Sequence, residues 1–187
     1  MAALQQCRPT ADSVRDNLNA IVQARSFLLD NYFRSIRDMI GKTEISTPGA
    51  RILILNGADQ VLLEERSDFK KWGLPGGTAD PGEDIIGAAK REPFEETGLN
   101  IRNLVPFGFS SSPDLERIKF PNGDRLHSFN LLFYTHDYSG DLIISDESLN
   151  LDWFDLDELP PMLENMKCTV LAYLDYCSSS QFQFPTV

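Results

Sequence analysis

Between Gly77 and Leu99 the chain reads GTADPGEDIIGAAKREPFEETGL, a glycine-bearing turn that runs into a helix carrying Glu92, Glu95 and Glu96. A helix advances about 3.6 residues per turn, so these three carboxylates fall on one face. Like charges at that spacing weaken an isolated helix by roughly 0.2–0.5 kcal/mol per pair, which calls for a compensating cation. A hard divalent ion suits an all-oxygen set best. Mg2+ takes one or two carboxylates, keeps several waters and completes its shell with substrate phosphate oxygens. Phosphate chemistry is the expectation that follows.

The fuller pattern is a glycine at 77, Glu83, and then Arg91-Glu92-x-x-Glu95-Glu96-x-Gly98-Leu99, preceded by Trp72-Gly73-Leu74-Pro75-Gly76. This resembles the Nudix box and the segment that usually precedes it. The resemblance extends from about Tyr32 to Tyr176 and takes in Pro121-Asn122-Gly123-Asp124 and the Trp153-Phe154 region. It implies an α/β fold, a Nudix-type α/β/α sandwich with a mixed sheet, here behind an N-terminal helical arm. It also implies hydrolysis of a nucleoside diphosphate linked to another moiety, with divalent metal and a water nucleophile. ADP-ribose or a nucleotide sugar is the first expectation for the substrate. A nucleoside triphosphate, or a weakened domain that binds a nucleotide without turnover, is the alternative.

Roles follow position by position from that resemblance. Glu92, Glu95 and Glu96 are the expected ligands of Mg2+ or Mn2+, the carbonyl of Gly76 adds a ligand from the loop, and Arg91 orients the carboxylates. Glu83 is a supporting residue. The general base is sought in Ser145-Asp146-Glu147-Ser148, where Glu147 is the candidate. His127 and His136 have suitable chemistry but sit in or near strand-like runs, where a structural histidine is the ordinary reading. Arg66 and Trp72 flank the loop entering the box, so Arg66 could meet phosphate and Trp72 could stack on a base or simply pack. Phe109, Phe120 and Asp124 mark the excursion between strands where specificity loops are commonly found.

One residue departs from the pattern. Pro93 stands where the family carries an aliphatic residue, and a proline in a helix interior removes a hydrogen bond and crowds the preceding turn at a cost of about 3 kcal/mol. A kink between Glu92 and Glu95 would shift the carboxylates relative to one another, unless surrounding packing absorbs it.

Apolar residues recur at threes and fours from Asp12 to Ile40, the pattern of an amphipathic helical arm with Asp12 as N-cap and Gly41 as stop, either one helix or two broken near Asp30-Asn31. Such an arm buries its stripe against its own domain or against a second subunit, so a homodimer through residues 1–45 is one expectation. The Nudix-like region is read as 46–177, with a frayed tail at 178–187. Pro48-Gly49 marks the change to strand-like runs. Arg51 to Leu55 and Val61 to Glu65 read as a hairpin about Asn56-Gly57-Ala58-Asp59. Further strands are expected at Leu104 to Phe109, Ser128 to Tyr134, Leu142 to Ile144 and Leu151 to Phe154. A closing helix over Met162 to Tyr176 is expected to cover the sheet.

The formal net charge of −11 argues against indiscriminate binding to nucleic acid or anionic membrane. Cys7, Cys168 and Cys177 are widely spaced and suggest neither a disulfide framework nor a zinc site. With no signal-like apolar run at MAALQQCRPT, a cytoplasmic enzyme acting on a nucleotide-derived small molecule is expected.

Overall fold

The computed structural model describes residues 34–186, which fall into two units dividing after Gly41. The described part of the first unit is a helix over residues 34–40, α1. It stops where expected. Gly41 adopts a φ of +60° and its N–H closes on the Arg37 carbonyl at 2.7 Å. The amphipathic pattern from Asp12 up to residue 33, with its capping and dimer expectations, lies outside the described residues.

The second unit is built around β1 (Ile45–Ile54), ten residues ending in Arg-Ile-Leu-Ile. Branched side chains pack well on a pleated surface, and a strand covered on both faces reads as a continuous apolar run. β1 is such a strand. Ala50, Ile52 and Ile54 face one core together with Ala89, Leu99 and Phe133. Leu53 and Leu55 join a second core with Leu63, Phe107, Met166, Val170 and Tyr173. Burying each of these larger side chains contributes about 1.5–3 kcal/mol.

The remaining elements are β2 (Val61–Arg66), β3 (Trp72–Gly73), β4 (Gly76–Thr78), α2 (Ile85–Thr97), β5 (Asn100–Ile101), β6 (Val105–Ser110), α3 (Pro113–Glu116), β7 (Arg117–Lys119), β8 (Arg125–Thr135), β9 (Tyr138–Ser139), β10 (Ser148–Phe154) and α4 (Glu164–Ser179). The main sheet runs β4-β1-β8-β6 with β7 paired to β8; a second runs β10-β2-β3, and β5 pairs with β9. β1 and β8 are parallel over ten register pairs, whereas β4, β6 and β7 join antiparallel. The sheet is mixed, with α2 contributing to one core and α4 to the other. This is the expected α/β/α layering.

Four local expectations are corrected. The Asn56–Asp59 turn does form, with the Asn56 carboxamide oxygen accepting from Ala58 and Gln60 N–H, but the hairpin stops after the Leu55–Val61 bridge. Beyond it β1 and β2 part into different sheets, because β8 and β10 offer longer ladders than the two strands offer each other. Pro48-Gly49 lies inside β1. The Pro48 carbonyl accepts from Ala79 N–H, so its backbone faces the side where the β4 ladder has just ended and no donor is missed. Leu142–Ile144 forms no strand; Ile143 N–H instead caps the Thr97 carbonyl at 2.9 Å. The tail does not fray at Ser178. α4 runs to Ser179, and Gln183 then bonds Phe107 and Phe109, each at 2.9 Å.

A polar knot ties these layers together. Arg51 of β1 is 4% exposed and Glu116 at the end of α3 is fully buried. The guanidinium donates to both Glu116 oxygens at 3.1 and 3.0 Å, and also to Thr169 Oγ1 at 2.7 Å. Glu116 further accepts from Ser110, from Asn130 at 3.1 Å and from Asn165 at 3.3 Å. Removing one member of such a pair strands a buried charge, at a cost of about 3–5 kcal/mol. Glu116→Ala is therefore expected to lose that much in urea denaturation, whereas Arg51→Met combined with Glu116→Leu should lose far less.

Candidate functional site

The loop that opens the site is shaped by backbone. Gly76 sits at φ +144°, a conformation closed to side chains, and any Cβ there would strike the Ala50 carbonyl. At Gly77 a Cβ would stand 2.5 Å from the Glu92 carboxyl carbon. This pair of glycines lets the box helix bring carboxylates directly onto the loop.

α2 begins at Asp84, whose carboxylate accepts from Gly87 N–H at 2.7 Å, and ends where Gly98 N–H closes on the Phe94 carbonyl at 2.9 Å. It runs unbroken through Pro93, which is buried. The Pro93 carbonyl accepts from Thr97 Oγ1 at 2.6 Å, and both residues are buried.

Arg91 organises the carboxylates around it. Its Nη1 pairs with Glu92 at 2.9 Å and Glu95 at 3.0 Å, while Nη2 reaches Glu83 at 2.7 Å and the Thr78 carbonyl at 3.0 Å. Burial works against this cation, but the hydrogen bond to Glu83 and the charges of Glu92 and Glu95 outweigh it and hold its pKa above the usual arginine range. Glu96, 6% exposed, accepts from Gly76 N–H at 2.8 Å.

A residue with no signal in the box motif joins this group. Glu64, in Val-Leu-Leu-Glu-Glu-Arg of β2, is 1% exposed and accepts from Ser148 Oγ at 2.7 Å and Arg66 Nη1 at 3.3 Å. A glutamate directly following three buried apolar residues was the available clue. Burial raises the Glu96 carboxyl well above the carboxylate range, and the neighbouring charges of Glu64 and Glu92 push it further. Burial pushes Glu92 up to about 7, with Glu95 and Glu147 adding to the shift and Arg91 opposing it. Glu64 is raised by burial, and Glu147 and Asp68 add to it. The structure thus brings Glu64, Glu92, Glu96 and Glu147 into one electrostatic neighbourhood, with Glu147 exposed at its rim.

The expected substrate residues are distributed differently. Arg66 is held by Asp68, Nη2 to Oδ2 at 2.8 Å, and by Glu64. The Trp72 ring packs edge-on against Phe154, centroids 4.7 Å apart, beside the α4-side core. Phe120 meets Phe69 at 5.4 Å, which joins the 120–124 turn to the loop after Arg66. Asp124 pairs with Lys42 at 2.7 Å, and Phe109 lies on β6 with its N–H bonded to Gln183. His127 Nε2 lies 2.9 Å from the Ser111 carbonyl, and the His136 ring lies edge-on to Tyr134, as structural histidines do.

Comparison with known proteins bears on this geometry. A family model described as NUDIX domain matches residues 46–173. A candidate 8-oxo-dGTP diphosphatase of Bacillus subtilis is 43% identical over 70 residues, covering 37% of this chain and 47% of that protein. An ADP-ribose pyrophosphatase of Methanocaldococcus jannaschii is 33% identical over 112 residues, covering 58% of this chain and 62% of that one. The crystal structure of the mutator MutT protein from Bacillus halodurans superposes with a TM-score of 0.59 at 26% identity, covering 74% of this chain and 86% of that chain. The chain spans about half the length of the curated relatives it matches.

Because α2 is continuous, Pro93→Leu is expected to change Mn2+ affinity by less than about twofold, measured by isothermal titration. A larger gain in affinity would mean that the proline limits the carboxylate arrangement.

Proposed function

The chain belongs to the Nudix family, and from that premise we propose that it is a divalent-metal-dependent pyrophosphohydrolase acting on a nucleoside diphosphate linked to another moiety. The observation that carries this reading is the crowding of buried carboxylates. Burial raises the proton affinity of Glu64, Glu92 and Glu96; Glu64 and Glu92 add to the rise at Glu96, and Glu147 adds to it at Glu64 and Glu92, despite Arg91 and Arg66 beside them. Such a group is stabilised by further positive charge, and its all-oxygen chemistry suits Mg2+ or Mn2+. Among the described residues no three carboxylate, histidine or thiol groups already stand as a closed ligand set. Glu92 and Glu95 instead face Arg91, and Glu96 faces Gly76 N–H.

Glu92, Glu95 and Glu96, with the Gly76 carbonyl, are the groups that would hold the ion. When bound, it would acidify water and neutralise charge developing on the pyrophosphate oxygens. The chain's own residues do the rest. Arg91 orients Glu92 and Glu95 from one side while tethered to Glu83 and the Thr78 carbonyl on the other. Glu147 is our candidate to take a proton from water; it is exposed, and its charge acts on Glu64 and Glu92, which supports the reading. Arg66 could engage a substrate phosphate by exchanging its pairing with Asp68, and the Phe69–Phe120 contact places an aromatic pair beside that loop. Phe109, Trp72 and Asp124 stay candidates for the outer part of the substrate site.

ADP-ribose or a nucleotide sugar is our first assignment of substrate, in keeping with the activity named for the Methanocaldococcus relative. A nucleoside triphosphate is the second, favoured by the name of the Bacillus relative. No described helix is long and apolar enough to cross a membrane.

Product formation from ADP-ribose, nucleotide sugars, dinucleoside polyphosphates and triphosphates, with Mg2+, Mn2+ or chelator, tests the reading. Metal-dependent cleavage of one class is expected, and silence across the panel with ligand-induced thermal stabilisation would indicate a binding module instead. Glu96→Gln should abolish turnover, by about 100-fold or more, while leaving the circular dichroism spectrum unchanged; full activity would remove Glu96 from the metal site.

A further inference from the structure

Between β9 and β10 the chain crosses from the C-terminal end of α2 to the edge of β2 through residues 140–147, which form no strand. Two moorings hold this crossing. At one end Ile143 N–H bonds the Thr97 carbonyl at 2.9 Å, and at the other Ser67 N–H bonds the Glu147 carbonyl at 2.9 Å. The next residue, Ser148, is 6% exposed and stands opposite Arg66 in the β10–β2 ladder, just before a bulge at Ser148/Asn150 that interrupts the register. Its hydroxyl donates to buried Glu64 at 2.7 Å and lies 3.3 Å from Ser145 Oγ, which in turn accepts from Glu147 N–H at 3.3 Å.

From this arrangement we propose that Ser148 is a positioning residue, its hydroxyl bond to buried Glu64 fixing where Glu147 is presented to the carboxylates of α2. The inference rests on the reading of Glu147 as the proton acceptor, and it adds the means by which that residue is placed. Three features make the bond suited to the task. It is a 2.7 Å hydroxyl-to-carboxyl contact between two buried side chains, where a hydrogen bond is electrostatically stronger than in water. It stands one residue from Glu147, beyond the bulge that separates Ser148 from the regular part of the ladder beginning at Asn150. It also ends on Glu64, so the loop is referred to a strand that lies beside Glu96 and not to the surface. Without it, Glu147 is left with only backbone and surface hydroxyl contacts, and a displacement of about 1 Å at a proton-transferring group is enough to slow a reaction substantially.

Four variants test this: Ser148→Ala, Ser148→Thr, Glu147→Gln, and Ser148→Ala with Glu147→Gln. Three readouts are taken: kcat and KM on whichever substrate of the panel is cleaved fastest, Mn2+ affinity by electron paramagnetic resonance, and amide exchange at Ser67 by NMR. Ser148→Ala should lower kcat about tenfold with KM and Mn2+ affinity within twofold, and should speed Ser67 exchange about tenfold. Ser148→Thr, which keeps the hydroxyl, should restore both. Adding Ser148→Ala to Glu147→Gln should slow turnover no further, because the serine acts through the glutamate. Unchanged Ser67 exchange in Ser148→Ala, or losses that multiply in the double variant, would overturn the proposal. Full activity of Glu147→Gln would overturn the role of Glu147 itself. Because Ser67 exchange does not depend on turnover, that failure is distinguishable from a failure of Ser148 to seat the loop.

Discussion

Burying the Arg51 guanidinium inside the main sheet is the most demanding thing this fold does. An unpaired charge in that place would cost far more than any one core contact returns, so the surrounding layers must converge on it. Glu116 arrives from α3, Thr169 and Asn165 from α4, and Asn130 and Ser110 from β8 and β6. The knot therefore fixes how α4 sits on the sheet and where the β6–β7 excursion turns. Its reach extends to the candidate site, because Arg51 stands opposite Gly76 in the β1–β4 ladder and Gly76 N–H holds Glu96.

The electrostatics of the site follow a different rule. A chain of net charge −11 has carboxylates to spare, and it concentrates several of them where only Arg91 and Arg66 oppose them. Each arginine already spends its donors on acidic neighbours, Arg91 on Glu83, Glu92 and Glu95, and Arg66 on Asp68 and Glu64. This local imbalance is the electrostatic ground on which the proposal of a divalent cation rests.

Much of this was legible in the sequence because the governing contacts are local. The spacing of Glu92, Glu95 and Glu96, the Gly41 stop and the continuous Ile-Leu-Ile run of β1 all act within a turn or a strand. What escaped reading depends on distant partners. The split between β1 and β2 is decided by β8 and β10, far along the chain, and the Asn56–Asp59 turn gives no hint of it. Glu64 reads as an ordinary strand glutamate until α2 brings Glu96 alongside. Leu142–Ile144 has strand-forming composition, yet Ile143 N–H bonds the open carbonyl of Thr97 and the segment joins no strand ladder. Pro93 carries a strong local penalty, yet α2 is continuous through it, and its buried setting is not something periodicity reveals.

The pairing of Gln183 with β6 has a consequence for how the molecule meets its neighbours. β6 ends the main sheet, and an end strand carries a row of backbone groups that another chain can use as a template for association. Gln183 occupies those groups at Phe107 and Phe109, and Pro106 has no N–H to offer. The last residues thus act as a selvedge, closing an edge along which copies of the protein could otherwise stack.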